Sequence, residues 1–123
     1  MKKFLISVLI LFATMTAFAQ NDTILPKLKK YDNYAVYIQN QIKYPTIALE
    51  NGWTGRVEFE FIISHKGCID SVKVLSSPNI NFTKEVIRVL EKTKCKWVPM
   101  SVNGYPVAAR INSFVDFNLD KKD

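Results

Sequence analysis

Few side chains in this sequence are equipped for chemistry. The one histidine, His65, sits in Ser64-His65-Lys66-Gly67, between two stretches of alternating apolar residues. That tetrapeptide reads as a hairpin turn, where an imidazole is solvated and has no partner to make it a base. Glu58 and Glu60 share one face of a strand pattern and are a candidate carboxylate pair for acid–base work. Charges at alternate positions also describe the wet face of an antiparallel sheet, and that is the simpler reading. Cys68 and Cys95 offer no Cys-x-x-Cys and no partnered histidine, so nothing supports a redox or nucleophilic role. No grouping of His, Cys, Asp and Glu has metal-ligand spacing. The four glycines fall at separate turns, not in a phosphate-binding loop. Trp53 and Trp97 read as packing residues and not as stacking platforms. The residues therefore point away from an enzyme, a metal or a cofactor and toward binding.

The elements that would build a binding surface follow from periodicity. Asp32 is placed to cap a helix from about Asn33 to Ile42, stopped by Tyr44-Pro45 because a residue before proline is pushed to extended geometry. Thr46 to Glu50 is a short helical turn closed by Asn51-Gly52. From Gly55, Val57, Phe59, Phe61 and Ile63 alternate with Arg56, Glu58, Glu60 and Ile62, which is a half-buried strand. A second strand carries Ile69, Val72 and Val74, and its broken parity predicts a bulge between Ile69 and Val72. After a loop at 76–81, Asn81 or Thr83 opens a helix with Val86, Ile87, Val89 and Leu90 as its buried stripe. Lys92, Lys94 and Lys96 stand at its C-terminal end, where cations suit the helix dipole.

The last element is the most distinctive. From Pro106 to Leu119, Val107, Ala109, Ile111, Val115, Phe117 and Leu119 are apolar, while Arg110, Asn112, Asp116 and Asn118 are polar. Ser113 and Phe114 are the two exceptions. This reads as one long strand beginning at a proline, which is tolerated at a strand start or edge but not in mid-sheet. The order helix, short helix, strand, strand, helix, strand describes a small α+β domain. Its antiparallel sheet has three strands, with helices packed on one face.

Two motifs in this chain resemble a known family. The first is Tyr44-Pro45, then Gly52 and Gly55 running into the first strand. The second is Trp97 and Pro99, then Asn103-Gly104, Pro106 and the terminal strand. Both together, in that order, resemble the C-terminal domain of the TonB energy-transducer family over residues 31–119. The resemblance implies a periplasmic domain that grips a short extended segment, the TonB box, of an outer-membrane transporter by pairing it with the last strand. By position it assigns the receiving edge to Arg110, Ile111, Asn112, Ser113, Phe114, Val115 and Asp116, with Gln41 and Lys43 as further peptide contacts. Gly52, Gly55 and Gly104 become backbone-geometry positions, and Tyr44, Trp97 and Pro99 become packing that fixes the strand's approach. An open edge also allows a homodimer.

The ends and the charge complete the reading. Lys2-Lys3, an uncharged apolar run from Phe4 to Phe18, and Ala17-Phe18-Ala19 have the layout of a secretory signal peptide cleaved before Gln20. Residues 20–30 then form a flexible lead, and residues 120–123 a short tail. The mature chain would carry 15 basic and 11 acidic residues, interspersed, which gives no clustered face for nucleic acid. Export also permits a disulfide between Cys68 and Cys95, since strand and helix lengths return both to one end; two buried thiols are the alternative. A complete transducer of the family has a membrane anchor and a long spacer. A lead of about eleven residues reaches only about 36–40 Å, so an accessory binding module is expected. An anchored transducer keeping its N-terminal helix, or an exported structural or inhibitor-like protein on the same fold, are the alternatives.

Overall fold

The computed structural model describes residues 22–119. The expected signal peptide and C-terminal tail lie outside the described residues. In chain order the elements are β1 (Thr23–Ile24), β2 (Lys27–Leu28), α1 (Tyr34–Gln41), α2 (Thr46–Asn51), β3 (Gly55–Ile63), β4 (Ile69–Ser76), α3 (Ile80–Lys92), β5 (Trp97–Val98), β6 (Met100–Val102), β7 (Tyr105–Val107) and β8 (Ala109–Phe117).

The main sheet is antiparallel, in the order β4-β3-β8. β3 is its centre, and its odd positions Val57, Phe59, Phe61 and Ile63 are all buried. α3 adds Phe82, Val86, Val89 and Leu90 to the same core, and β8 adds Ile111, Val115 and Phe117. Burying this many large apolar side chains, at roughly 1.5–3 kcal/mol each, is what holds the three strands and their helices together. On the opposite sheet face Arg56 and Glu58 are exposed and Glu60 is half-buried.

The bulge expected in the second strand is present: Ile62 pairs with Ser71 and Ile63 with Ile69, leaving Asp70 as the extra residue. A second shift lies between Glu58 and Phe59, where Leu75 is extra. Both helix caps move from their expected positions. Asn33, not Asp32, caps α1 through the N–H groups of Ala35 and Val36. Asn79, ahead of both expected residues, caps α3 through those of Asn81 and Phe82.

Two expectations are corrected. The final strand is not continuous, because Ala108 separates β7 from β8. β7 folds back on β6 through Asn103-Gly104, with Val102 opposite Tyr105. The stretch expected as a flexible lead is paired from residue 22 onward. Thr23 and Ile24 add to β6, Lys27 and Leu28 add to β5, and Leu28 enters the core. The physical reason is that β5 and β6 would otherwise expose unpaired backbone, and the lead satisfies it.

Cys68 and Cys95 are joined, tying the start of β4 to the end of α3 across 27 positions. The turn before Cys68 is pressed on the same junction. Gly67 has a φ of 84°, and a Cβ there would collide with the carbonyl oxygen of Trp97. Trp97 donates its backbone N–H to the Gly67 carbonyl at 3.2 Å. Its indole, 1% exposed, donates to Thr93 Oγ1 at 3.2 Å.

Candidate functional site

The site is built from the geometry of β8. Along a strand, side chains and backbone polar groups both alternate with period two. In β8 the odd residues Ile111, Val115 and Phe117 bury their side chains. The backbone parity is fixed by Asp116. Its N–H donates to Gln39 Oε1 at 3.0 Å, and its carbonyl accepts from Gln39 Nε2 at 2.9 Å. Gln39 lies on α1, so both Asp116 groups point away from β3. Pairing with β3 runs from Gly55 opposite Phe117 to Ile63 opposite Ala109. It follows that Ala109, Ile111, Ser113, Val115 and Phe117 make the ladder to β3, while Arg110, Asn112 and Phe114 turn their N–H and C=O groups outward.

β8 is the outer strand of its sheet, and among the described residues no strand pairs with that outward flank. The surface beside it is polar with one aromatic. Phe114 is 47% exposed, and the Arg56 guanidinium lies 3.9 Å from its ring centroid. Arg56 also donates from Nε and Nη2 to the two Asp116 carboxylate oxygens, at 2.7 and 3.2 Å. That hydrogen bond is the main cause that raises the Arg56 pKa above its ordinary value. The exposed Arg110 lies 3.9 Å from the half-buried Glu60, a long contact of little energetic weight.

The far end of β8 is held by aromatic packing. Phe117 stacks on Phe82 with centroids 4.0 Å apart, and Tyr44 meets both rings edge-on, at 5.7 and 5.8 Å. The Tyr44 hydroxyl donates to the Trp53 carbonyl, and burial raises its pKa. Pro45 precedes α2, and Gly52 caps it. Gly55 begins β3 with a φ of 149° beside Pro78, where a Cβ would lie 2.7 Å from Pro78 Cγ. Pro106 stands in β7, opposite Ser101. Pro99 lies between β5 and β6 and packs near Gly67.

Gln41 and Lys43 are tied by their backbones toward α3. The Gln41 carbonyl accepts from Arg88 at 3.3 Å, and the Lys43 N–H donates to Glu85 at 2.6 Å. Gln39, earlier on the same helix, hydrogen-bonds the β8 backbone, and it is not among the residues expected from the sequence. Its one signal was helical spacing, since it shares a side of the chain with Ile42 three positions on. Among the described residues no group of His, Cys, Asp and Glu could hold a metal ion.

The domain is α+β, and among the described residues its last strand has no strand partner along one flank. A family model described as the Gram-negative bacterial TonB protein C-terminal matches residues 40–119, and the chain belongs to that family. The solution NMR structure of the Pseudomonas aeruginosa TonB C-terminal domain is similar at 29% identity and a TM-score of 0.56, covering 80% of this chain and 90% of that one. A Helicobacter pylori TonB C-terminal domain shares the fold at 16% identity and a TM-score of 0.54, over 72% of this chain and 92% of that one. A second Helicobacter pylori structure of that domain does so at 17% identity and a TM-score of 0.54, over 76% and 88%. No curated protein matches in sequence. The family's C-terminal domain is a periplasmic protein-interaction domain with a role in energy-dependent transport.

Proposed function

We propose that this domain binds an extended peptide segment of an outer-membrane transporter, of the TonB-box kind, by accepting it as a fourth strand along β8. The observation that carries this is the outward flank of β8, where Arg110, Asn112 and Phe114 present backbone donors and acceptors. Main-chain hydrogen bonds then supply affinity, and alternate side chains supply selectivity. Phe114 and its Arg56 partner give a guest side chain an aromatic and cationic surface on the solvent face. The chain is exported to the periplasm, with its mature start at Gln20.

The test is titration of the mature protein with transporter TonB-box peptides, followed by NMR. Shifts concentrated on Arg110, Asn112 and Phe114 are expected, and shifts confined to the helices would contradict the reading. The competing guest is a second copy of this chain, which a dilution series in sedimentation separates from peptide binding. N-terminal sequencing of the exported protein checks the start at Gln20.

A further inference from the structure

Gln39 does for Asp116 what a neighbouring strand would do. Its side-chain amide carries one acceptor and one donor, and both are used on one residue's N–H and C=O, at 3.0 and 2.9 Å. The contact is anchored from several sides. Arg56 holds the Asp116 carboxylate, Tyr44 packs on Phe117, and α1 is stitched to α3 through the Gln41 carbonyl and Arg88. The outward flank of β8 is therefore closed at Asp116. Toward the other end the flank stops at the Ala108 break, beyond which β7 pairs with β6 in a separate sheet. Between these limits Arg110, Asn112 and Phe114 are the outward residues, which spans positions 110–114.

Resting on the strand-addition reading above, we infer that Gln39 is an end-stop that sets the guest's paired length at about five residues. A guest strand running past Phe114 would have to displace two hydrogen bonds that the domain already makes to itself. Exchanging one such pair for another yields no net gain, so residues beyond the stop add no affinity. Gln39 thus determines both length and register: it fixes where the guest ends, and strand parity fixes which of its side chains face Phe114.

The experiment uses the mature protein and a TonB-box peptide from a transporter of the same genome, prepared as five-, seven- and nine-residue versions. For the wild type, affinity is expected to level off at five residues. For Gln39→Ala, the seven-residue peptide is expected to bind about tenfold tighter than the five-residue one, because two freed backbone groups on Asp116 become available. Gln39→Met keeps the length but lacks both donor and acceptor, and the same gain is expected should the alanine variant fold poorly by circular dichroism. An identical length dependence in wild type and variants overturns the end-stop and leaves strand addition standing. Failure of the wild type to bind any of the three peptides overturns both.

Discussion

Proline at position 114 separates the outward flank of β8 from the ladder behind it. The parity set by Asp116 turns the Phe114 N–H away from β3, so Phe114→Pro removes a donor that no described strand uses. Proline is tolerated on an edge strand in that orientation. The sheet should therefore persist, with only the exposed ring contact to Arg56 lost and a Tm within a few degrees of Phe114→Ala. Binding should respond much more strongly. A guest carbonyl left without its partner costs about 1–3 kcal/mol, or about 5- to 150-fold in Kd. Phe114→Ala keeps the N–H and isolates the side-chain contribution. Ser113→Pro is the mirror case: it removes an inward donor opposite Phe59 and should destabilise the sheet by about 3 kcal/mol. The assay is calorimetric titration with a TonB-box peptide, with thermal denaturation alongside. If Phe114→Pro folds and binds like Phe114→Ala, the flank is not the binding surface. If Phe114→Pro unfolds while Ser113→Pro does not, the parity assignment itself is wrong.

Reduction of the Cys68–Cys95 bridge should cost about 3 kcal/mol from the loop of 27 positions that it closes, so the Cys68→Ala/Cys95→Ala variant should melt at least about 12 °C lower. Gly67→Ala should destabilise by about 2 kcal/mol or more, since its Cβ meets the Trp97 carbonyl in a left-handed backbone; urea denaturation measures this. Burial pushes the Glu85 carboxyl up, but the Arg88 guanidinium and the Lys43 N–H outweigh it and hold the pKa below the usual range. A carboxylate so depressed adds stability above its unfolded pKa of about 4.3 and loses it as pH falls through its folded value. Glu85→Gln should accordingly lower Tm at pH 7, and the gap to wild type should narrow in melts below about pH 4.

Much of the architecture could be read directly from periodicity. Val57, Phe59, Phe61 and Ile63 announced a central strand because a period of two with one fully apolar face has few other solutions. Phe82 was missed as a core residue because the helix was begun too late, at Asn81 or Thr83 and not after Asn79. The motifs Tyr44-Pro45 and Asn103-Gly104 marked real punctuation, a helix stop and a hairpin turn. What failed was non-local. Thr23–Ile24 and Lys27–Leu28 are too short to carry a period, and their partners lie about 70 to 80 positions away, so only the folded chain brings them together. The break at Ala108 has the same origin, since Val107 and Ala109 continue the apolar alternation while their partners belong to different sheets. Gln39 carries only that weak spacing signal, because its amide looks like those of its neighbours Asn40 and Gln41 until β8 is placed beside it.

Residue-resolved amide hydrogen exchange tests the central claim most directly. In the free protein, Ile111, Ser113 and Val115 should exchange slowly through their ladder to β3, Asp116 should be slowed by Gln39, and Arg110, Asn112 and Phe114 should exchange fast. Adding a TonB-box peptide should slow those last three selectively. Slow exchange at Arg110, Asn112 and Phe114 before any peptide is added, or no change once it is bound, would contradict the account.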